Sequence, residues 1–179
     1  CESLASVTIP DSVTSIGFMA FLRCKSLASV TIPDSVTSIG NNAFSGCYSL
    51  TTIDIPERVS SIGDMAFMSC ESLTSVNIPN KVTSIGDSAF RNCKSLTTIN
   101  IPDSVTSIDK WAFAFCRSLA SVNIPNKVTL IGEQAFKGCK SLRYAIIPTN
   151  LEGKNESYWT ERGIDLKQTT LITQEQLSD

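Results

Sequence analysis

Apolar residues recur along this chain in a pattern that repeats every 23 positions. The unit reads C-x-S-L-x-x-V-x-I-P-x-x-V-x-x-I-G-x-x-A-F-x-x, and the first copy begins at Cys1. All seven cysteines keep this register from Cys1 to Cys139, and all seven prolines keep it from Pro10 to Pro148. A fixed period of this length predicts a solenoid, in which each unit buries its apolar side by stacking on identical neighbours.

The spacing of the apolar positions changes within the unit, and each spacing predicts a different element. Val7 and Ile9 alternate with Thr8, which is typical of a short, half-buried strand. The proline that follows has no N–H group, so it ends the hydrogen-bonded ladder at the same level in every unit. Val13 and Ile16 are three positions apart, which favours a bend over a straight strand.

The last third of the unit is predicted to form a short helix. Ile16, Ala20 and Cys24 follow one another at intervals of four, which suggests about two helical turns over positions 18–23. A column of glycines, which Asp109 interrupts, predicts a left-handed turn residue before that helix. The expected fold class is therefore α/β, with one parallel strand per unit and a bend and short helix on the opposite side.

The chain divides into a repeat array, residues 1–148, and a non-repeat tail, residues 149–179. Solenoids need a cap over their last apolar layer, and the tail carries apolar residues that could provide it. The alternative is a linker to another domain. The candidates for a cap are Tyr158, Trp159, Ile164, Leu166, Leu171 and Ile172.

The pattern L-x-x-V-x-I-P…V-x-x-I-G-x-x-A-F-x-x-C resembles the BspA-like leucine-rich repeats, a subclass found in surface proteins of mucosal bacteria and some protists. The resemblance covers Cys1 to Pro148. It implies a leucine-rich-repeat solenoid, a location outside the cell or on its surface, and adhesion to host proteins or to other cells. The fold alone does not fix the function.

Composition argues against an enzyme. The chain has no histidine, which removes the commonest general base and the commonest metal ligand. We therefore expect no catalytic residues, no cofactor and no metal. An acidic column after the prolines suits calcium or acid/base chemistry, but it suits ordinary turns as well. Its members are Asp11, Asp34, Glu57 and Asp103.

The charge balance narrows the class of partner. Fifteen basic residues stand against 17 acidic ones, and the linear order reveals no basic stripe. Nucleic acid is therefore not an expected partner. No apolar run approaches the ~20 residues of a membrane span, so we expect no membrane insertion within these residues.

The cysteine column allows four interpretations. Cysteines one unit apart would stack within disulfide range, but their Cα–Cβ bonds would point in parallel. A metal site is disfavoured because a straight file cannot converge on one ion. A redox sensor is the third possibility. We favour the fourth, a ladder of seven buried free thiols that act as small apolar residues.

The outward positions of the strands form the first candidate binding surface, which we call the strand face. It offers hydroxyls along its whole length and amides toward the C-terminal half, so it would suit a polar ligand or simply a solvated sheet. Its residues are Ser6, Thr8, Ser29, Thr31, Thr52, Asp54, Ser75, Asn77, Thr98, Asn100, Ser121, Asn123, Arg143 and Tyr144.

Alternate units carry apolar residues on the side opposite the strands, at helical spacing. This candidate self-association surface consists of Phe18, Met19, Leu22, Met65, Met68, Trp111 and Phe115. Exposed apolar groups two units apart suggest contact with a partner or a second copy. Alternatively, Phe18, Met65 or Phe115 fills gaps between the units.

Two functions fit these patterns. The first is a non-enzymatic module of a surface or secreted protein that binds a protein or glycan through the strand face. The second is a structural spacer or self-associating stalk without a ligand of its own, which could form a homo-oligomer through its apolar surface.

Overall fold

A computed structural model describes residues 1–177 as a solenoid of parallel strands. The tail adds one α-helix, α1 (Glu156–Glu161), and the short 3-10 helices Thr149–Leu151 and Glu175–Leu177. The strands are β1 (Ser6–Thr8), β2 (Ser15–Ile16), β3 (Ser29–Thr31), β4 (Ser38–Ile39), β5 (Thr52–Ile53), β6 (Ser61–Ile62), β7 (Ser75–Asn77), β8 (Ser84–Ile85), β9 (Thr98–Asn100), β10 (Ser107–Ile108), β11 (Ser121–Asn123), β12 (Leu130–Ile131), β13 (Tyr144–Ile147) and β14 (Thr170–Thr173).

Each of the first six units contributes two strands, and every strand pairs in parallel with its counterpart one unit away. The first strands of the units pair in the runs β1–β3, β5–β7–β9 and β11–β13, to which β14 of the tail is added. The second strands pair in β2–β4–β6 and β8–β10–β12. The register is one full unit, so that Val7 lies beside Val30 and Ile16 beside Ile39. The predicted parallel-strand solenoid is confirmed.

Phenylalanine rings stack through the centre of the array. The rings of Phe44 and Phe67 lie 5.4 Å apart with an angle of 2° between their planes, and the same spacing separates Phe67 from Phe90. The column extends at 5.1 to 5.6 Å from Phe21 to Phe136. Sequence columns have therefore become continuous lines of identical side chains in the core.

The predicted short helices are wrong, because positions 18–23 form successive turns. Ala20 and Cys24 donate to carbonyls three residues back, whereas Met19, Phe21 and Arg23 donate to carbonyls of the next unit. An α-helix is about 10 Å wide with its side chains, so identical helices cannot stack at the ~5 Å spacing of paired strands. Turns can stack at this spacing, because half of their N–H groups point along the array and donate to the next unit.

The predicted role of the glycine column is also wrong. The left-handed residues lie two and six positions later, as at Met19 (φ 57°) and Arg23 (φ 55°). The glycines serve close approach instead: a Cβ on Gly40 would lie 2.9 Å from the backbone of Gly17. A Cβ on Gly132 would overlap the backbone of Lys110. At these two glycines the neighbouring unit lies too close for a Cβ, whereas Asp109 is accommodated in the same column.

The tail packs against the last unit. Strand β14 pairs with β13 over four residues, and Trp159 and Ile164 are buried. The carbonyls of Glu161 and Arg162 accept from the N–H groups of Gln134 and Phe136. Elsewhere in the array, carbonyls in the turn of the next unit accept the corresponding bonds. The tail therefore occupies the position of a further unit, while the division at residue 148 stays a prediction.

Removing one ring from the phenylalanine column should destabilise the whole array. We expect Phe90→Ala to lower the free energy of unfolding by about 3–5 kcal/mol, because it leaves a cavity between two stacked rings. The matched control is Phe18→Ala, at a side chain that is 67% exposed. Urea denaturation followed by circular dichroism measures both, and equal effects of the two substitutions would contradict the stacked core.

Candidate functional site

The strand face lies on β1, β3, β5, β7, β9, β11 and β13, where its side chains alternate with buried ones. In β7, Ser75 and Asn77 are exposed on either side of the buried Val76. Pairing aligns Asn77 with Asn100 and Thr52 with Ser75, so each sequence column becomes a line across the sheet. Arg143 and Tyr144 are exposed at its C-terminal end.

Amide side chains on this face hold one another in position. Asn100 Nδ2 donates to Asn77 Oδ1 at 3.2 Å, and Gln174 Nε2 donates to Asn123 Oδ1 at 2.7 Å. Gln174 belongs to the tail, and it also donates to the carbonyl of Ile124. The amides therefore present ordered hydrogen-bonding groups to solvent. Their role in binding a ligand stays a prediction.

The opposite side, which we call the turn face, carries the apolar residues of the alternate units. Phe18 and Met19 are exposed, and Leu22, Met65, Met68, Trp111 and Phe115 are half-buried. Met19 and Leu22 face Met65 and Met68 across a groove of about 300 Å³, whose floor is formed by Asn42, Ser45 and Gly46 of the intervening unit. Tyr48 lines the same groove and was missed by the sequence interpretation.

Trp111 and Phe115 form a separate cluster on the turn face. Their ring centroids lie 6.3 Å apart. The guanidinium of Arg91 lies 5.0 Å from the centroid of Trp111, and Lys137 Nζ lies 5.1 Å from it. Arg91 also lies 5.7 Å from the ring of Phe115. The two aromatic rings are thus partly covered by cations, which fixes the position of Arg91.

Basic side chains also gather on the turn face, contrary to the expectation from the linear order. Seven of them lie at unit positions 22, 23 and 2, where the acidic side chains are Glu2 and Glu71. We call this set the basic stripe: Arg23, Lys25, Arg91, Lys94, Arg117, Lys137 and Lys140. Spacings of 2 to 66 residues along the chain concealed it, and stacking of the units brings it together.

The cysteine column lies in the core, and most of it is a ladder of free thiols. Cys47, Cys70, Cys93, Cys116 and Cys139 are free and buried. The prediction of seven free thiols is wrong at the first pair, because Cys1 and Cys24 form a disulfide with their Cα atoms 4.8 Å apart. Cys1 is exposed, and Cys24 is buried.

The thiols have a second role that the sequence did not reveal. Cys70 Sγ donates to the carbonyl of Phe44 at 3.3 Å, and that carbonyl also accepts from the N–H of Cys47. Four more thiols make the same contact one unit away. Each of the five free cysteines therefore links two units with a hydrogen bond as well as filling space.

In the part of the chain that the structure describes, the carboxylates form no metal-binding group. Within residues 1–177, no group of three or more acidic or cysteine side chains is arranged to hold a metal ion. Glu57 of the acidic column accepts from the N–H of Asn80 one unit away. Burial raises the pKa of Asp109, and the nearby carboxylates of Asp64 and Asp87 raise it further.

The geometry defines a leucine-rich-repeat solenoid, a class of fold that is typically non-enzymatic. The model of the BspA type leucine rich repeat region matches residues 1–116 and 60–174, with six copies. The chain therefore belongs to the BspA-type leucine-rich-repeat family. No curated protein matches it significantly.

Three solved bacterial structures are similar to this chain. The leucine-rich-repeat protein of T. pallidum is 34% identical, with a TM-score of 0.78 over 81% of this chain and 71% of that one. A leucine-rich cell surface protein from Faecalibacterium prausnitzii A2-165 is 37% identical, with a TM-score of 0.59 over 79% of this chain and 47% of that one. A leucine-rich-repeat protein from Eubacterium ventriosum ATCC 27560 is 27% identical, with a TM-score of 0.61 over 89% and 47%. The chain thus spans about half the length of the last two.

These similarities support a protein-interaction module of a kind that occurs in bacterial surface proteins. Within residues 1–177, no helix has both the length and the apolar character that crossing a bilayer requires.

The buried thiols should make the fold sensitive to alkaline pH. Burial raises the pKa of Cys47 to about 11 and that of Cys139 to about 12, from an ordinary value of 9.0. Between pH 9 and 11 the unfolded chain releases thiol protons that the folded chain retains, so the free energy of unfolding falls as pH rises.

Cys70→Ala should reduce this pH dependence, because it removes a thiol whose pKa burial raises. The slope of unfolding free energy against pH should become shallower by up to about 1.4 kcal/mol per pH unit. Lysine and tyrosine titrations are common to both proteins and cancel in the comparison. Urea denaturation at several pH values measures the slopes, and identical slopes would contradict the assignment.

Proposed function

We propose that this chain is a non-enzymatic binding module of a surface or secreted protein, and that its strand face contacts a protein or glycan. The observation that carries the proposal is the ordered field of exposed hydroxyls and amides across the parallel strands. Asn77 and Asn100 lie at its centre and hold each other in place. Groups that are already oriented lose less conformational entropy on binding, which favours contact with a polar ligand.

Extracellular location and adhesion belong to the same proposal. The F. prausnitzii protein is described as a cell surface protein, and it is 37% identical over 79% of this chain. A buried thiol column suits an oxidising environment as well as a reducing one, because buried thiols react slowly. Host molecules and neighbouring cells are the partners that such a location makes available.

Removing the central amides should abolish recognition through the strand face. We expect Asn77→Ala/Asn100→Ala to lose at least tenfold in binding to any component of a microarray of glycans and extracellular proteins that the wild type recognises. Asn80→Ala is the control, since it removes an exposed amide outside the strands. Unchanged binding by the double variant would contradict the assignment, as would a wild type that recognises no component.

A spacer or self-associating stalk is the second candidate. It is favoured by the exposed apolar groups of the turn face, of which Phe18 is 67% and Met19 41% exposed. A two-fold contact through this face would bring Arg23, Arg91 and Arg117 of one copy against the same arginines of the other. Such like-charge contacts are unfavourable, so we place binding before self-association.

Self-association through the turn face can be tested directly. If the face forms a dimer, Met68→Ser/Trp111→Ser should convert it to a monomer in sedimentation velocity, because both side chains lose their apolar contacts. Leu130→Ser provides a control, since Leu130 is 53% exposed outside the turn face. A dimer that survives the double substitution, or a wild type that is monomeric at all concentrations, would exclude this mode.

A further inference from the structure

The turn face combines unpaired positive charge with an apolar groove, which is unusual for a chain with more acidic than basic residues. In the basic stripe, Lys25 pairs with Glu2 at 2.7 Å and Lys94 with Glu71 at 2.8 Å. Among residues 1–177, Arg23, Arg91 and Arg117 have no carboxylate within ion-pair distance. The two carboxylates beside the basic stripe, Glu2 and Glu71, are thus already paired with lysines, whereas the three guanidinium groups have no carboxylate partner in the described part of the chain.

These arginines border one continuous depression. Arg23 lines the groove that has Met19 and Leu22 on one side and Met65 and Met68 on the other. Arg91 and Arg117 line a neighbouring groove of about 360 Å³, and Met68 and Ser69 are common to both grooves. Arg23 and Arg117 are about four units apart, so the depression is roughly 20 Å long. An extended peptide of about six residues spans that distance.

The side chains of Met19 and Met65, which form part of the groove walls, contribute little to the core. Met19 and Met65 adopt left-handed backbone conformations, with φ of 57° and 56°. Asn42 and Ser88 have the same position in the intervening units, and short polar residues such as Asn adopt this conformation at lower cost. Bulky apolar side chains there are directed toward the solvent side of the array, where a partner's apolar groups can reach them.

The composition of the depression selects among partners. Nucleic acid and other polyanions would match its charge but would leave Met19, Leu22, Met65 and Met68 without apolar contacts. Single strands bind by stacking bases on exposed aromatic faces, whereas cations already lie over the ring of Trp111. A second copy of this chain would bring further arginines. An acidic protein segment with interspersed apolar side chains satisfies both features.

We propose that the turn-face depression binds an extended acidic segment of another protein. Its carboxylates pair with Arg23, Arg91 and Arg117, and its apolar side chains lie between the walls formed by Met19 with Leu22 and by Met65 with Met68. Arginine pairs with carboxylates through two parallel hydrogen bonds, which gives such a contact direction as well as charge. This site lies opposite the strand face and does not depend on the function proposed for that face.

The probe is the labelled peptide Glu-Leu-Glu-Phe-Glu-Leu-Glu, with binding followed by fluorescence anisotropy at physiological salt. Arg23→Glu/Arg117→Glu should weaken binding at least tenfold, and Lys81→Glu/Lys127→Glu, with the same change of net charge outside the turn face, should change it less than twofold. Met19→Ser/Met68→Ser should also weaken it at least fivefold. Circular dichroism establishes that each variant is folded.

Two further probes separate the contributions of charge and apolar contact. Glu-Ser-Glu-Ser-Glu-Ser-Glu should bind at least tenfold more weakly than the first peptide. Lys-Leu-Lys-Phe-Lys-Leu-Lys should bind the arginine double variant better than the wild type. Reversing the peptide's charge therefore rescues the variant, a result that misfolding cannot produce.

Several outcomes would overturn the proposal. Equal binding of the glutamate–serine peptide or of a twelve-residue oligothymidylate would identify a general polyanion surface instead. Equal loss with the two charge-reversal variants would show that only net charge matters. Absence of binding at millimolar peptide would exclude an acidic segment of this kind.

Discussion

The spacing between neighbouring units is the constraint on which this structure depends. Parallel strands pair about 5 Å apart, and every position of a unit must accept an identical or similar group at that distance. Stacked phenylalanine rings meet the requirement at 5.1 to 5.6 Å. Turns meet it because their N–H groups alternate between bonds within the unit and bonds to the next one. Helices do not meet it. Gly40 and Gly132 lie so close to the preceding unit that a Cβ would meet its backbone.

The same spacing turns small differences between units into surface features. A methionine, asparagine and methionine at one position of three successive units become two walls and a floor, as Met19, Asn42 and Met65 do. Arginines that are far apart in the chain come to lie along one stripe. The hydroxyls and amides of the strands become a flat polar sheet. One repeating core therefore supports two faces of different chemistry.

The first unit described and the last one differ in how their apolar residues are covered. At the C-terminal end, β14 and the carbonyls of Glu161 and Arg162 replace the next unit, and Trp159 fills the space beside the last turn. In the first unit, Leu4, Val7 and Phe21 remain partly exposed, although the equivalent residues Leu27, Val30 and Phe44 are buried. The disulfide between Cys1 and Cys24 joins this exposed first turn to the second.

The sequence by itself determined the fold to a large extent, because a 23-residue period that every cysteine and proline obeys leaves only in-register stacking as a way to bury Leu4, Ile16 and Phe21 in each unit. It also determined which side chains share a column. It did not determine the conformation of positions 18–23, since the spacing of Ile16, Ala20 and Cys24 suits a helix and a turn equally, and only the distance between units excludes the helix. Nor did it reveal that Arg23, Arg91 and Arg117 border one depression or that Gln174 reaches Asn123 from the tail. Those contacts depend on how neighbouring units and the tail lie in space, and tertiary structure alone decides that.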